Sequence, residues 1–185
     1  MPLSGSAWVT KFPTSVDVAD LASPFRENVK RFLAAITAAG GTYDIKATYR
    51  PVERAFLMHY AWSIARENLS PAKVPKNPAI DIDWVYRRPN GRIDYTASRK
   101  AAQDMVDAYD IAFKPALVSQ HTMRLAIDVV IAWTNSLDIV DSRGKTVKIT
   151  SMPRSGSNRD LIAVGASYHV LKLVSDPPHW SDNGH

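Results

Sequence analysis

The sequence contains no cysteine. That absence excludes disulfide staples, thiol nucleophiles and every zinc or iron-sulfur site built on thiolates, and leaves metal binding to histidine, aspartate and glutamate. Long apolar runs are missing too. No stretch approaches the ~18 consecutive apolar residues of a membrane helix. The opening "MPLSGSAWVTKFPTS" has neither a basic segment followed by an apolar one nor a small-residue cleavage pattern. The expectation is a chain made soluble in the cytoplasm, without signal peptide or membrane span. Repeats and low-complexity segments are also lacking, and a composition of 45% hydrophobic and 22% charged residues is ordinary for a folded protein. A chain of 185 residues can bury a full core without help, so one domain over 1–185 is expected.

Acidic residues are in short supply: 18 Asp and Glu against 23 Lys and Arg leave a net charge of +5. Such a balance favours an anionic partner, whether nucleic acid, an acidic membrane face or a cell-wall polymer. The basic residues are scattered through "YRRPNGR", "SRKAAQ" and "DSRGKTVK" with acids between them, as on a solvated surface. Neither a basic helix nor an aromatic-interleaved strand marks nucleic-acid binding, which is therefore not expected.

Apolar spacing predicts a helix over 23–39, with Phe25, Val29, Phe32, Leu33 and Ile36 on one face and Gly40-Gly41 as its stop. A short strand follows in "TYDIKATYRP", then a second helix after Pro51 with Phe56, Tyr60, Ile64 and Leu57 turned inward. The four prolines of "SPAKVPKNPAIDIDWVYRRPNG" predict a surface excursion with at most a short strand. A third helix should start at a Thr96 or Ser98 cap. The β-branched run from Leu125 to Trp133 reads as a central strand, "LDIVDSRGKTVKIT" as a hairpin, "NRDLIAVGASYHV" as a helix and "LKLV" as extended. Helices first and antiparallel strands later give an α+β class, with helices packed on one face of a small, mainly antiparallel sheet.

Of the histidines, His59 reads as a helical packing residue, His169 as a helix-end residue and His185 as frayed. His121 has different company. Seven residues on, in "SQHTMRLAID", Asp128 interrupts an apolar run, where a carboxylate on a central strand costs several kcal/mol unless paired or metal-bound. The bland alternative is an Asp pointing out of an edge strand. A second cluster lies in "DPPHW", where two prolines stiffen the backbone between Asp176 and His179. His121, Asp128 and His179 offer two imidazoles and a carboxylate, a sound set for zinc, with Asp176 placed to act as a general base.

Taken together, "SQHTMRLAID" and "DPPHW" resemble the paired signature of the zinc peptidases that cut peptidoglycan stem peptides. These are the D-alanyl-D-alanine carboxypeptidases and dipeptidases and the L-alanyl-D-glutamate endopeptidases of phage endolysins, relatives in fold of the Hedgehog signalling domain. Ser119, His121, Ala126, Asp128, Asp176, His179 and Trp180 fall on the pattern in register, and "GGTYDIKATYRP" places Arg50 at a matching arginine. Arg124 stands where the pattern carries glycine. Residues 69–98 do not align and read as a proline-rich insertion.

The resemblance implies that His121, Asp128 and His179 bind Zn2+, that Asp176 activates the attacking water, and that Arg50 steadies the carbonyl oxygen as it gains charge. Ser119 would hold the loop or a substrate group, and Trp180 would pack behind His179 or wall a cleft. The implied function is a peptidoglycan endopeptidase cutting between L-alanine and D-glutamate, acting as a monomer on the wall after holin-type release. A D-alanyl-D-alanine carboxypeptidase or dipeptidase is the alternative, as is a non-catalytic, zinc-containing wall-binding module. Deleting residues 176–185 should abolish zinc binding and hydrolysis of purified cell walls together, as metal analysis and amine release would show.

Overall fold

The computed structural model describes residues 1–185. Its regular elements, in chain order, are α1 (Phe25–Ala38), β1 (Thr42–Ala47), α2 (Val52–Arg66), α3 (Tyr95–Ala108), β2 (Ala126–Ala132), β3 (Leu137–Val140), β4 (Thr146–Ile149), α4 (Arg159–Ser167), β5 (Leu171–Lys172) and β6 (His179–Ser181). The α+β class expected from the sequence is the class observed. None of the helices is long and apolar enough to cross a membrane. By its contacts the chain divides into two compact units, Met1–Pro13 with Pro51–Val118, and Thr14–Arg50 with Ser119–His185. Each has its own apolar core.

In the first unit α2 contributes Leu57, Met58, Ala61 and Ile64, and α3 contributes Ala102, Met105, Val106 and Tyr109. The buried face of α2 is rotated from the expected one, so Phe56 and Tyr60 lie only partly buried at its flank, their rings 4.6 Å apart. The helix α3 starts earlier than expected because the Asp94 carboxylate, rather than Thr96 or Ser98, accepts the Ala97 N–H at 3.0 Å. Residues 69–98, read as an insertion, lie wholly in this unit. Ile80, Ile82 and Trp84 alternate into its core, yet no strand forms there; pairing is limited to isolated bridges such as Leu3 with Asp83. Pro75 and Pro78 just before this stretch carry no N–H to extend a ladder.

The second unit holds a four-stranded antiparallel sheet in the order β1-β2-β6-β5 and a separate β3-β4 hairpin. Period-two alternation sorts β2 cleanly: Ile127, Val129 and Ile131 are buried, Val130 and Ala132 exposed, and Asp128 half-buried. The buried set meets Phe25, Val29, Phe32, Leu33 and Ile36 of α1, Leu161 and Val164 of α4, and Leu137, Ile139 and Ile149 of the hairpin. Helix α4 is started by Asn158, whose side-chain oxygen accepts the N–H groups of Asp160 and Leu161 while its amide donates to the carbonyls of Ser151 and Pro153.

Trp180 sits at the centre of this core with 0% exposure, its ring 5.3 Å from that of Phe32. Gly165 of α4 approaches it so closely that an added Cβ would stand 2.7 Å from Cζ3 of Trp180 and 3.1 Å from the Val170 carbonyl oxygen. Alanine in a helix normally gains about 1 kcal/mol over glycine. Here overpacking against an immobile indole costs about 1–3 kcal/mol. Gly165→Ala should therefore lower stability, by about 1 kcal/mol, in urea unfolding followed by tryptophan fluorescence; a gain in stability would contradict this packing.

Candidate metal centre

The register of β2 with β6 pairs Asp128 directly with His179. Directly opposed residues in an antiparallel pair project to the same face, and here it is the face away from α1 and α4. His179 Nδ1 lies 3.0 Å from Asp128 Oδ1. His121 enters from the loop before β2, with Nε2 3.2 Å from Asp128 Oδ1 and 3.2 Å from His179 Nδ1. Two residues on strands and one on a loop thus bring three donor atoms to a point.

Each ring is oriented through its other nitrogen. His121 Nδ1 faces the Thr48 carbonyl at 2.8 Å, and His179 Nε2 faces the main-chain oxygen of His185 at 3.2 Å. Those acceptors assign the ring hydrogens to the outer nitrogens, so the neutral imidazoles turn lone pairs toward the carboxylate and toward each other. Three lone pairs at such separations repel unless a proton or a metal cation sits among them. Donors of a tetrahedral zinc at about 2.0–2.2 Å stand about 3.4 Å apart, within a few tenths of an ångström of the observed triangle. His121, Asp128 and His179 therefore lie close enough, and with the right atoms facing, to bind a metal ion. The two imidazoles are buried and the Asp128 side chain is 19% exposed. Burial pushes the Asp128 carboxyl up, but when a proton rather than a metal sits among the three donors, hydrogen bonds and charge from His121 and His179 outweigh it and hold the carboxyl below the usual carboxylate range. It stays anionic, as a ligand must.

No family model matches the chain, and no curated protein matches it. The site has to speak for itself.

His121 is clamped by the segment that ends β1. Besides the Thr48 carbonyl on its ring, its own carbonyl accepts the N–H groups of Arg50 and Arg124, each at 3.2 Å. Arg50, half-buried, is thereby tied by its backbone to a residue of the three-donor cluster. Ser119 closes the loop: its N–H donates to Thr122 Oγ1 at 2.8 Å, and its carbonyl accepts that hydroxyl at 2.9 Å. Asp176 is exposed and outside the three-residue cluster, at the start of a turn closed by the His179 N–H on its carbonyl at 3.1 Å. Trp180 projects to the core, on the side of the sheet opposite the donor atoms, so it packs and does not wall a cleft at the centre. His185, expected to fray, supplies the main-chain oxygen that orients His179.

Sequence reasoning missed Lys172, which is buried at 9% exposure, with its ammonium donating to the carbonyls of Leu173, Asp176 and His179. Burial lowers its pKa, opposed by the Asp176 and Asp128 carboxylates. The available signal was a lysine between two leucines in an extended stretch beside "DPPHW".

Arg124 has φ +64°, the left-handed conformation that glycine adopts without strain. The backbone shape suited to glycine is kept by an arginine whose guanidinium lies 4.3 Å from the centroid of the Tyr49 ring. Left-handed backbone costs a side-chain-bearing residue roughly 1–2 kcal/mol, and an exposed cation–π contact returns about 0.5–1 kcal/mol. Arg124→Ala keeps the strain and loses the contact, while Arg124→Gly loses both. The glycine variant should be the more stable of the two by about 1 kcal/mol in thermal unfolding, and equal melting temperatures would show that no strain resides there.

Proposed function

We propose that the chain is a zinc metallopeptidase that hydrolyses peptide bonds in peptidoglycan stem peptides. The observation that carries the reading is the convergence of His121 Nε2, His179 Nδ1 and Asp128 Oδ1 with both rings held by main-chain oxygens. Two imidazoles and one carboxylate suit zinc and leave a fourth position for water or substrate. The stem-peptide substrate rests on the resemblance of "SQHTMRLAID" and "DPPHW" to the peptidoglycan peptidases. Cleavage between L-alanine and D-glutamate is the bond favoured, with release of terminal D-alanine the alternative.

When bound, zinc supplies a Lewis acid that polarises the scissile carbonyl and makes an attacking water more acidic. The chain's own residues do the rest. Asp176, exposed at the start of the turn that leads to His179, takes a proton from the water as its oxygen bonds to the carbonyl carbon. The same carboxyl then gives that proton to the departing amine as the C–N bond breaks. The Arg50 guanidinium, permanently charged, stabilises the negative charge that grows on the carbonyl oxygen. His121 and His179 keep their outer N–H groups on Thr48 and His185 throughout, which preserves the facing lone pairs.

Purified protein should carry about one zinc per chain, and chelation should stop the release of new amino groups from purified cell walls. Asp176→Ala should retain the metal with activity down about 100-fold or more, whereas His121→Ala should lose both. Mass spectrometry of the wall fragments names the bond: new N-terminal D-glutamate supports the endopeptidase, and free D-alanine the alternative. Chelator-insensitive hydrolysis, or a metal-loaded protein that releases neither product, would overturn the reading.

A further inference from the structure

Lys172 of β5 stands opposite Trp180 in the register of β5 with β6, its Nζ 5.6 Å from the indole centroid. From that anchor on the core it reaches the turn over 173–179. The ammonium donates to the main-chain oxygens of Leu173 at 2.6 Å, of His179 at 3.0 Å, and of Asp176. Its three N–H donors are thereby used in full. The turn has need of them, because Pro177 and Pro178 carry no N–H and leave it richer in acceptors than donors. Its own backbone bonds run from Asp176 N–H to Leu173, from His179 N–H to Asp176 and from Leu173 N–H to His179. Each of these three carbonyls is one that the ammonium also holds.

We propose that Lys172 is a positioning residue of the metal centre: its buried ammonium gathers the carbonyls of Leu173, Asp176 and His179 and so presets the His179 imidazole and the Asp176 carboxylate. The inference rests on reading His179 as a ligand and Asp176 as the base. A lysine that merely stabilised the unit would affect folding without affecting the metal.

The test uses Co2+ as a spectroscopic probe in the full chain, with Lys172→Met, Lys172→Gln and, as a stability control in α4, Leu161→Ala. Lys172→Met should bind Co2+ about 10- to 100-fold more weakly, the loss typical of an outer-shell partner, with a changed d–d absorption band. The Asp176 and His179 amides should exchange with solvent faster while those of β2 keep their protection. Lys172→Gln, which retains two donors, should lose less affinity than Lys172→Met. Leu161→Ala should lose stability and bind Co2+ as the unaltered protein does. Wild-type affinity and spectrum in Lys172→Met overturn the proposal; should that variant fail to fold, wild-type affinity in Lys172→Gln does so instead. An unaltered protein that takes up no Co2+ sinks the proposed function, and the exchange of the Asp176 and His179 amides in Lys172→Gln then decides the role of Lys172 by itself.

Discussion

The pairing of β2 with β6 sets Asp128 against His179, and the three-donor cluster with His121 exists only while that register holds. A slip of one residue would exchange the two faces: the imidazole would enter the core and the indole of Trp180 would face the carboxylate. Burial of an indole is worth about 3 kcal/mol, so the fully buried Trp180, wedged against Phe32 and Gly165, acts as the register lock for its neighbour. Packing on one face of the sheet is what makes chemistry possible on the other.

The same division runs along β2. Ile127, Val129 and Ile131 belong to the core, while Asp128 stands on the opposite face, with exposed Val130 beyond it. A carboxylate in an apolar strand is thus not a carboxylate in the core. Its remaining desolvation is met by two imidazoles that hold it ionised. The cost of partial burial and the capacity to bind a cation are two aspects of one arrangement.

The third donor arrives from a loop, and loops need more restraint than strands to hold a side chain within a few tenths of an ångström. His121 has it on both sides: Thr48 takes the ring N–H, and Arg50 and Arg124 both donate to the His121 carbonyl. The left-handed turn at Arg124 and its stacking on Tyr49 join that loop to the end of β1. Lys172 does the corresponding work for the turn before β6. Both imidazoles are therefore set by main-chain oxygens and by the segments that carry them, as preorganised ligands require.

Element order, the central strand and the residues of the three-donor cluster were legible along the chain. Apolar periodicity and turn chemistry are local properties, and an aspartate inside "LAIDVVIAW" stands out against them. The sequence could not show that α2 turns Met58 and Ala61 inward beside Leu57 and Ile64 and leaves Phe56 and Tyr60 at the flank, because several faces of that helix are apolar and the choice is made by what packs against it. Nor could it tell that residues 69–98 furnish core side chains, since the pattern of Ile80, Ile82 and Trp84 was masked by the surrounding prolines. The side of the sheet on which Trp180 lies, the oxygens that orient the two imidazoles and the burial of Lys172 came from long-range packing. Those outcomes depend on partners distant in sequence, Thr48 to His121 and Asp128 to His179, whose approach is fixed by strand register and core packing rather than by any neighbouring residue.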